Sequence, residues 1–106
     1  MTSKPTFAVT YLYPRQGLSR FDMGYYLQHH IPTTNSLWTP LGLTGAIVSE
    51  ISMASANDYV LVVVTLWKDE NSWNAAKNGE AAQKLAADVQ NFTNVTPVVL
   101  PGKISN

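Results

Sequence analysis

The chain has 106 residues, of which 45% are hydrophobic and 13% charged, with seven basic and seven acidic side chains and no cysteine. Balanced charge without runs excludes the clustered positive field that nucleic acid or an anionic membrane surface requires. The missing thiol excludes disulfides, cysteine nucleophiles and zinc–thiolate sites.

At this length a single domain over residues 1–106 is expected, large enough for a core. The charged share is about half that of typical globular chains, which leaves part of the surface to be covered by another subunit. The opening MTSKPTFAV lacks the apolar run of a signal peptide, and no stretch approaches the roughly 18 apolar residues of a membrane span. A soluble cytoplasmic protein is expected, and the triplets Asn91-Phe-Thr and Asn94-Val-Thr are read as chance matches to the glycosylation signal.

Residues 6–13, TFAVTYLY, combine β-branched and aromatic types and stop at Pro14, so they predict a strand followed by a loop at Gly17. A helix is predicted from Ser19, a cap candidate, with Asp22 near its positive end. It should end or kink at Ile31, because Pro32 disfavours the α conformation before it. Residues 33–41 predict a short second helical piece leading to the Gly42–Gly45 turn. Residues 44–52 predict a second strand, 52–58 its turn, and 59–67, YVLVVVTLW, a third strand. Helices are predicted near 70–78 and over 80–91, the latter with Ala81, Leu85, Val89 and Phe92 on one face. A last strand is predicted over 93–100, ending at Pro101-Gly102. The order β-α-β-β-α-β defines an α+β, ferredoxin-like plan: a four-stranded antiparallel sheet with its helices on one face.

The third strand carries a further expectation. A half-exposed strand alternates apolar and polar residues, yet nearly every residue of 59–66 is apolar, so both faces should be buried. One face can lie under the chain's own helices. Only a second sheet is left to cover the other, which predicts a homodimer packed sheet against sheet.

The two histidines of the chain are adjacent, in Tyr25-Tyr26-Leu27-Gln28-His29-His30-Ile31-Pro32. On a helix of about 100° per residue, Met23, Tyr26, Leu27, His30 and Ile31 share one arc, while Asp22, Tyr25, Gln28 and His29 lie on the other side. A lone histidine on an apolar face is more often a core residue with a satisfied hydrogen bond than a catalyst, and Tyr26, one turn earlier, is its candidate partner. The functional alternative is a general acid–base in an apolar pocket, where burial disfavours the charged imidazole and the helix C-terminus favours it. Adjacent histidines diverge and so make a poor metal site, for which spacings of three or four are needed. No metal or cofactor is expected.

Several stretches together resemble the EthD domain: Phe21, Tyr25-Tyr26, His29-His30-Ile31-Pro32, then Leu37 and Leu41-Gly42-Leu43. The closing segment, Ala87 to Val95 and Pro97-Val98-Val99, is also similar to that family, as less specifically are Trp67, Asp69 and Trp73. The resemblance implies a dimeric α/β barrel in which each subunit keeps a pocket between sheet and helices. It further implies cofactor-independent chemistry on small aromatic, polyketide-like or lactone substrates, as oxygenase, isomerase, decarboxylase, dehydratase or cyclase. His30 matches the family histidine, with Tyr26 and His29 beside it.

Two functions are therefore expected. In the first, His30 moves a proton on a phenol, enol or β-keto group, Tyr26 orients His30 or the substrate oxygen, and His29, Tyr11, Trp38, Trp67 and Phe92 are candidate substrate contacts. In the second, the chain is a non-catalytic barrel that binds a hydrophobic metabolite or serves stress tolerance. The first is the expected function, and the lack of a second strong acid or base is the best argument for the second.

Overall fold

The computed structural model describes residues 4–52 and 58–106. Four strands, β1 (Phe7–Pro14), β2 (Leu43–Glu50), β3 (Tyr59–Trp67) and β4 (Val98–Lys103), form one sheet in the order β2-β3-β1-β4, every pair antiparallel. Helices α1 (Met23–Tyr25), α2 (Ile31–Trp38), α3 (Glu70–Ala76) and α4 (Glu80–Asp88) complete the ferredoxin-like architecture. No helix among the described residues is long and apolar enough to cross a membrane. The expected turn at 52–58 lies, between 53 and 57, outside the described residues.

Side chains along a strand alternate between faces, and directly paired residues share a face. Phe7, Val9 and Tyr13 of β1 and Leu61, Val63, Thr65 and Trp67 of β3 are buried beneath the helices. Thr65 is tolerated there because its hydroxyl donates to the Val9 carbonyl at 2.9 Å and accepts from the Trp67 indole N–H at 2.9 Å. A buried polar atom is stable only when paired in this way. The opposite residues of β3, Val60, Val62, Val64 and Leu66, are only partly covered. Within one chain, then, β3 is buried on a single face. The even-numbered face is apolar and open, and it includes the outward side chains Ile47, Val98 and Leu100, which are 56%, 41% and 51% exposed.

Three boundaries differ from the sequence expectation. The first helix starts at Met23 rather than Ser19, with Asp22 as its cap: the Asp22 carboxylate accepts from the Tyr25 N–H at 3.0 Å. Ser19 and Arg20 instead remain in the loop, where the Asn94 side chain accepts from both their backbone N–H groups at 2.9 and 3.2 Å. The helix also continues past Pro32. Proline has no N–H for the carbonyl four residues back and crowds it sterically. The chain relieves this by widening beforehand into a π-helical segment, Tyr26–His30, where the Ile31 N–H reaches back to the Tyr26 carbonyl. The last strand, finally, is Val98–Lys103, displaced from the predicted 93–100 and containing Pro101-Gly102. A proline survives in a strand at the sheet edge, and β4 is an edge strand.

Gly42, between the 3-10 turn Thr39–Leu41 and β2, has φ +121°, and a Cβ there would lie 2.6 Å from the Ser72 Cβ. Only glycine fits this positive φ and this close approach to α3.

Candidate active site

His30 ends the π segment and is buried, with 9% of its side chain exposed. Its Nδ1 lies 2.8 Å from Oδ2 of Asp88, the last residue of α4. Asp88 is itself only 16% exposed and is further held by the Tyr25 hydroxyl, which donates to Oδ1 at 2.5 Å, and by the Asn91 amide at 2.9 Å. Burial alone would raise the Asp88 carboxyl, but the hydrogen bonds from Tyr25, Asn91 and His30 outweigh it and hold it down at about 2. An ionised carboxylate only accepts. The proton on His30 therefore sits on Nδ1 and points at Asp88, which leaves Nε2 unprotonated on the other side of the ring. Burial lowers the His30 pKa below the usual 6.5, against the opposing pull of Asp88. At neutral pH the pair is an anion and a neutral imidazole with a fixed tautomer.

Two features align these groups. The chain between β1 and α1 is pinned to the segment after α4: the Asp22 N–H donates to the Phe92 carbonyl at 2.8 Å, Phe21 bridges Thr93, and Asn94 clasps the backbone of Gly17, Ser19 and Arg20. The two helices thus approach each other where His30 and Asp88 lie. Aromatic rings then fix the imidazole. Tyr26 stacks on it at 5.3 Å with an interplanar angle of 20°, and Phe92 lies 4.7 Å away. Tyr26 was expected to be the hydrogen-bond partner of His30. Its hydroxyl instead pairs with Tyr13, because a residue four positions earlier presents its ring face, not its edge, to the imidazole. Burial pushes the Tyr13 phenol up to about 12 and those of Tyr11 and Tyr26 higher still, so all three are neutral hydroxyls.

Between sheet and helices lies a cavity of about 650 Å³ that His30 lines together with Tyr11, Tyr13, Tyr26, Thr34 and Trp38. The dimension suits a small organic ligand. Of the other expected contacts, Trp67 and Phe92 are fully buried and do not line this space; Trp67 spends its N–H on Thr65, and Phe92 packs behind the imidazole. His29 is exposed, its ring 4.8 Å from that of Tyr25 at a tilt of 37°, and it does not line the cavity. Leu27, assigned by the wheel to the inner arc, is 46% exposed, since the π turn changes the angular step on which the wheel relies.

The sequence reading missed Asp88 and so found no second acid or base. A signal existed. Asp88 falls within the apolar stripe of Ala81, Leu85 and Phe92, three residues after Leu85 and four before Phe92. An acidic residue on such a stripe is rarely buried unless paired. Lys77, which also lines the cavity, was likewise not singled out.

No protein-family model matches the chain, and no curated protein is similar to it. Solved structures do share its fold. An EthD-like protein from Ralstonia eutropha superposes with a TM-score of 0.80 at 20% identity, over 94% of this chain and 92% of that one. An ethyl tert-butyl ether D (EthD) family protein from Bacillus halodurans gives 0.72 at 19% identity, over 94% and 99%. SnoaB, a cofactor-independent oxygenase from Streptomyces nogalater, gives 0.58 at 10% identity, over 98% and 97%. The class defined by fold and site is a ferredoxin-like α+β domain with a histidine-lined internal cavity. Its architecture is that of the EthD-like proteins, as the motifs from Phe21 to Pro32 and from Ala87 to Val99 led one to expect.

Proposed function

We propose that this protein is a cofactor-independent enzyme of small-molecule metabolism in which His30 acts as general base and acid on an apolar, aromatic or polyketide-like substrate. The observation that carries the reading is His30 on the wall of an apolar cavity, with its Nδ1 held from behind at 2.8 Å by Asp88, which does not line that cavity. A general base must be unprotonated and directed at the substrate at working pH. The lowered pKa of His30 supports the first condition, and the tautomer held by Asp88, which leaves Nε2 free to accept a proton, supports the second. Nε2 takes a proton from a phenol, an enol or a carbon beside a carbonyl. The imidazolium that forms is stabilised by the Asp88 carboxylate and returns the proton to product or leaving group. Decarboxylation, dehydration, isomerisation and cyclisation can all use this step. Asp88 acts through His30 and is a positioning residue. That SnoaB is described as a cofactor-independent oxygenase supports the use of such a scaffold without a cofactor.

The even-numbered face of β3 favours a homodimer joined through the open sheet faces, with one cavity in each subunit. A metabolite-binding role without catalysis is favoured by the absence of any carboxylate from the cavity wall among the described residues. Titration with aromatic hydroxy acids, followed by NMR of the imidazole signals and by product analysis, separates the two. Catalysis requires turnover that His30→Gln abolishes. Binding alone gives shifts of His30 with the probe recovered unchanged.

A further inference from the structure

The cavity joins two packed clusters of side chains. Tyr13, Tyr26, Val63 and Phe92 surround His30 at one end, and Trp38, Trp73, Ala76 and Leu85 form the other. Among the residues lining it, one carries a formal charge at neutral pH: Lys77, at the end of α3, four residues after Trp73. Lys77 and Ala82 also border a shallow depression on the outer surface, which puts the lysine at a mouth of the cavity. Among the described residues Lys77 makes no ion pair.

The α4 stripe measures the separation of these ends. Ala82 lies beside Lys77 and Val89 belongs to the cluster around His30, with Leu85 and Ala86 lining the space between. Seven residues at 1.5 Å each place the two ends about 10 Å apart. The walls between are flat and aromatic, with Tyr11, Trp38 and Trp73 among them. Trp38, on this wall, also leaves a polar group unpaired. It is 6% exposed, and its buried Nε1–H has no acceptor among the described residues. Such a donor costs stability until an oxygen reaches it.

We propose that Lys77 is the anion-recognition residue of this cavity and that its ligand is an elongated, flat aromatic carboxylate, with the carboxylate at Lys77 and an ionisable hydroxyl or activated C–H about 10 Å away at His30. The inference rests on His30 being the reacting end. A lysine is a compact point charge that attracts a carboxylate without demanding bidentate geometry. Lys77 is exposed, and the apolar wall beside it lowers the local dielectric, so the attraction exceeds that of a pair in open water.

The test uses the full chain and three probes: a hydroxynaphthoate with its two groups at opposite ends, its methyl ester, and the parent naphthol. Isothermal titration should find the acid bound about tenfold more tightly than the ester, a difference of about 1.4 kcal/mol. Lys77→Met should bring acid and ester within about twofold of each other, and Lys77→Arg should keep the preference. Equal binding of acid and ester by the unaltered protein, a preference that survives Lys77→Met, or no binding of any probe overturns the proposal. Imidazole NMR distinguishes it from the catalytic reading. If the preference follows Lys77 but the His30 signals stay silent, the anion site stands and the general-base role falls. If His30 responds to acid and ester alike at equal affinity, the base stands and the anion site falls.

Discussion

His30 and Asp88 are separated by 58 positions in sequence, yet Nδ1 of one and Oδ2 of the other are 2.8 Å apart in a setting that leaves both side chains largely buried. The pair is built by two helices of different βαβ halves, and its outer end is closed by the Tyr25 hydroxyl and the Asn91 amide. Every oxygen of the carboxylate therefore has a donor, which is the condition for keeping a charge in such a place.

Removing the imidazole should have the largest kinetic effect. His30→Ala is expected to lower turnover by about 10²- to 10⁴-fold, the usual share of a general acid–base. His29→Ala should leave turnover within about threefold, because its ring lies against Tyr25 outside the cavity. Stability measured on the same variants separates chemistry from packing, since His30→Ala also leaves the Asp88 carboxylate short of a donor, at about 1 to 3 kcal/mol.

Asp88→Asn tests the positioning role through the pH profile. In the intact protein kcat/KM should rise with pH to a plateau with a midpoint below 6.5, since burial outweighs the carboxylate in setting the His30 pKa. The asparagine removes the influence that raises this pKa while burial and His29 remain. The midpoint should therefore move further down as the plateau falls. A residue that only supported the fold would lower both plateau and stability without displacing the midpoint.

Acid should unfold the protein in two windows. Both groups have lowered values in the fold, so below their unfolded values of 6.5 and 3.8 the unfolded chain binds more protons and stability rises with pH. The contribution of His30 begins to be lost as pH falls below 6.5, and that of Asp88 as pH falls from 3.8 to about 2. Thermal melts across this range should show Tm falling toward acid in both windows. The lower window should shrink in Asp88→Asn.

Much of this arrangement was legible in the sequence, for local reasons. The third strand was read to its ends because nine residues between Asp58 and Lys68, eight of them apolar and most of them β-branched or aromatic, fit a strand of that length. His30 was read as inward because a four-residue spacing from Tyr26 survives in both α and π geometry. What the sequence hid depends on partners far along the chain. Asp88 has meaning only once the 15–22 segment is fastened to Asn94, and Pro101 lies within a strand only because β4 is an edge. The cap at Asp22 won over Ser19 through the same distant asparagine, which takes the Ser19 and Arg20 N–H groups for itself.

The open sheet face makes the last prediction. Ala8, Thr10 and Leu12 of β1 continue the surface of Val60, Val62, Val64 and Leu66, and neither flanking strand closes it: Ile47 on β2 and Val98 and Leu100 on β4 stand outward. Apolar surface of this extent on a monomer marks an interaction site or an aggregation hazard. A charge placed there leaves the internal core untouched, because the buried set belongs to the odd-numbered face. Size-exclusion chromatography with light scattering should give twice the chain mass of 11.6 kDa at micromolar concentration. Val62→Asp should abolish that species, since an interface of more than about 2,000 Å² does not tolerate an unpaired carboxylate at its centre. The variant should keep its near-ultraviolet signature from the Trp38, Trp67 and Trp73 cluster while it dissociates or precipitates. Val9→Asp, at a fully buried position packed in the same cluster as the three tryptophans, should instead erase that signature. A stable monomer of the unaltered chain, or a dimer indifferent to Val62→Asp, would remove the sheet-to-sheet arrangement.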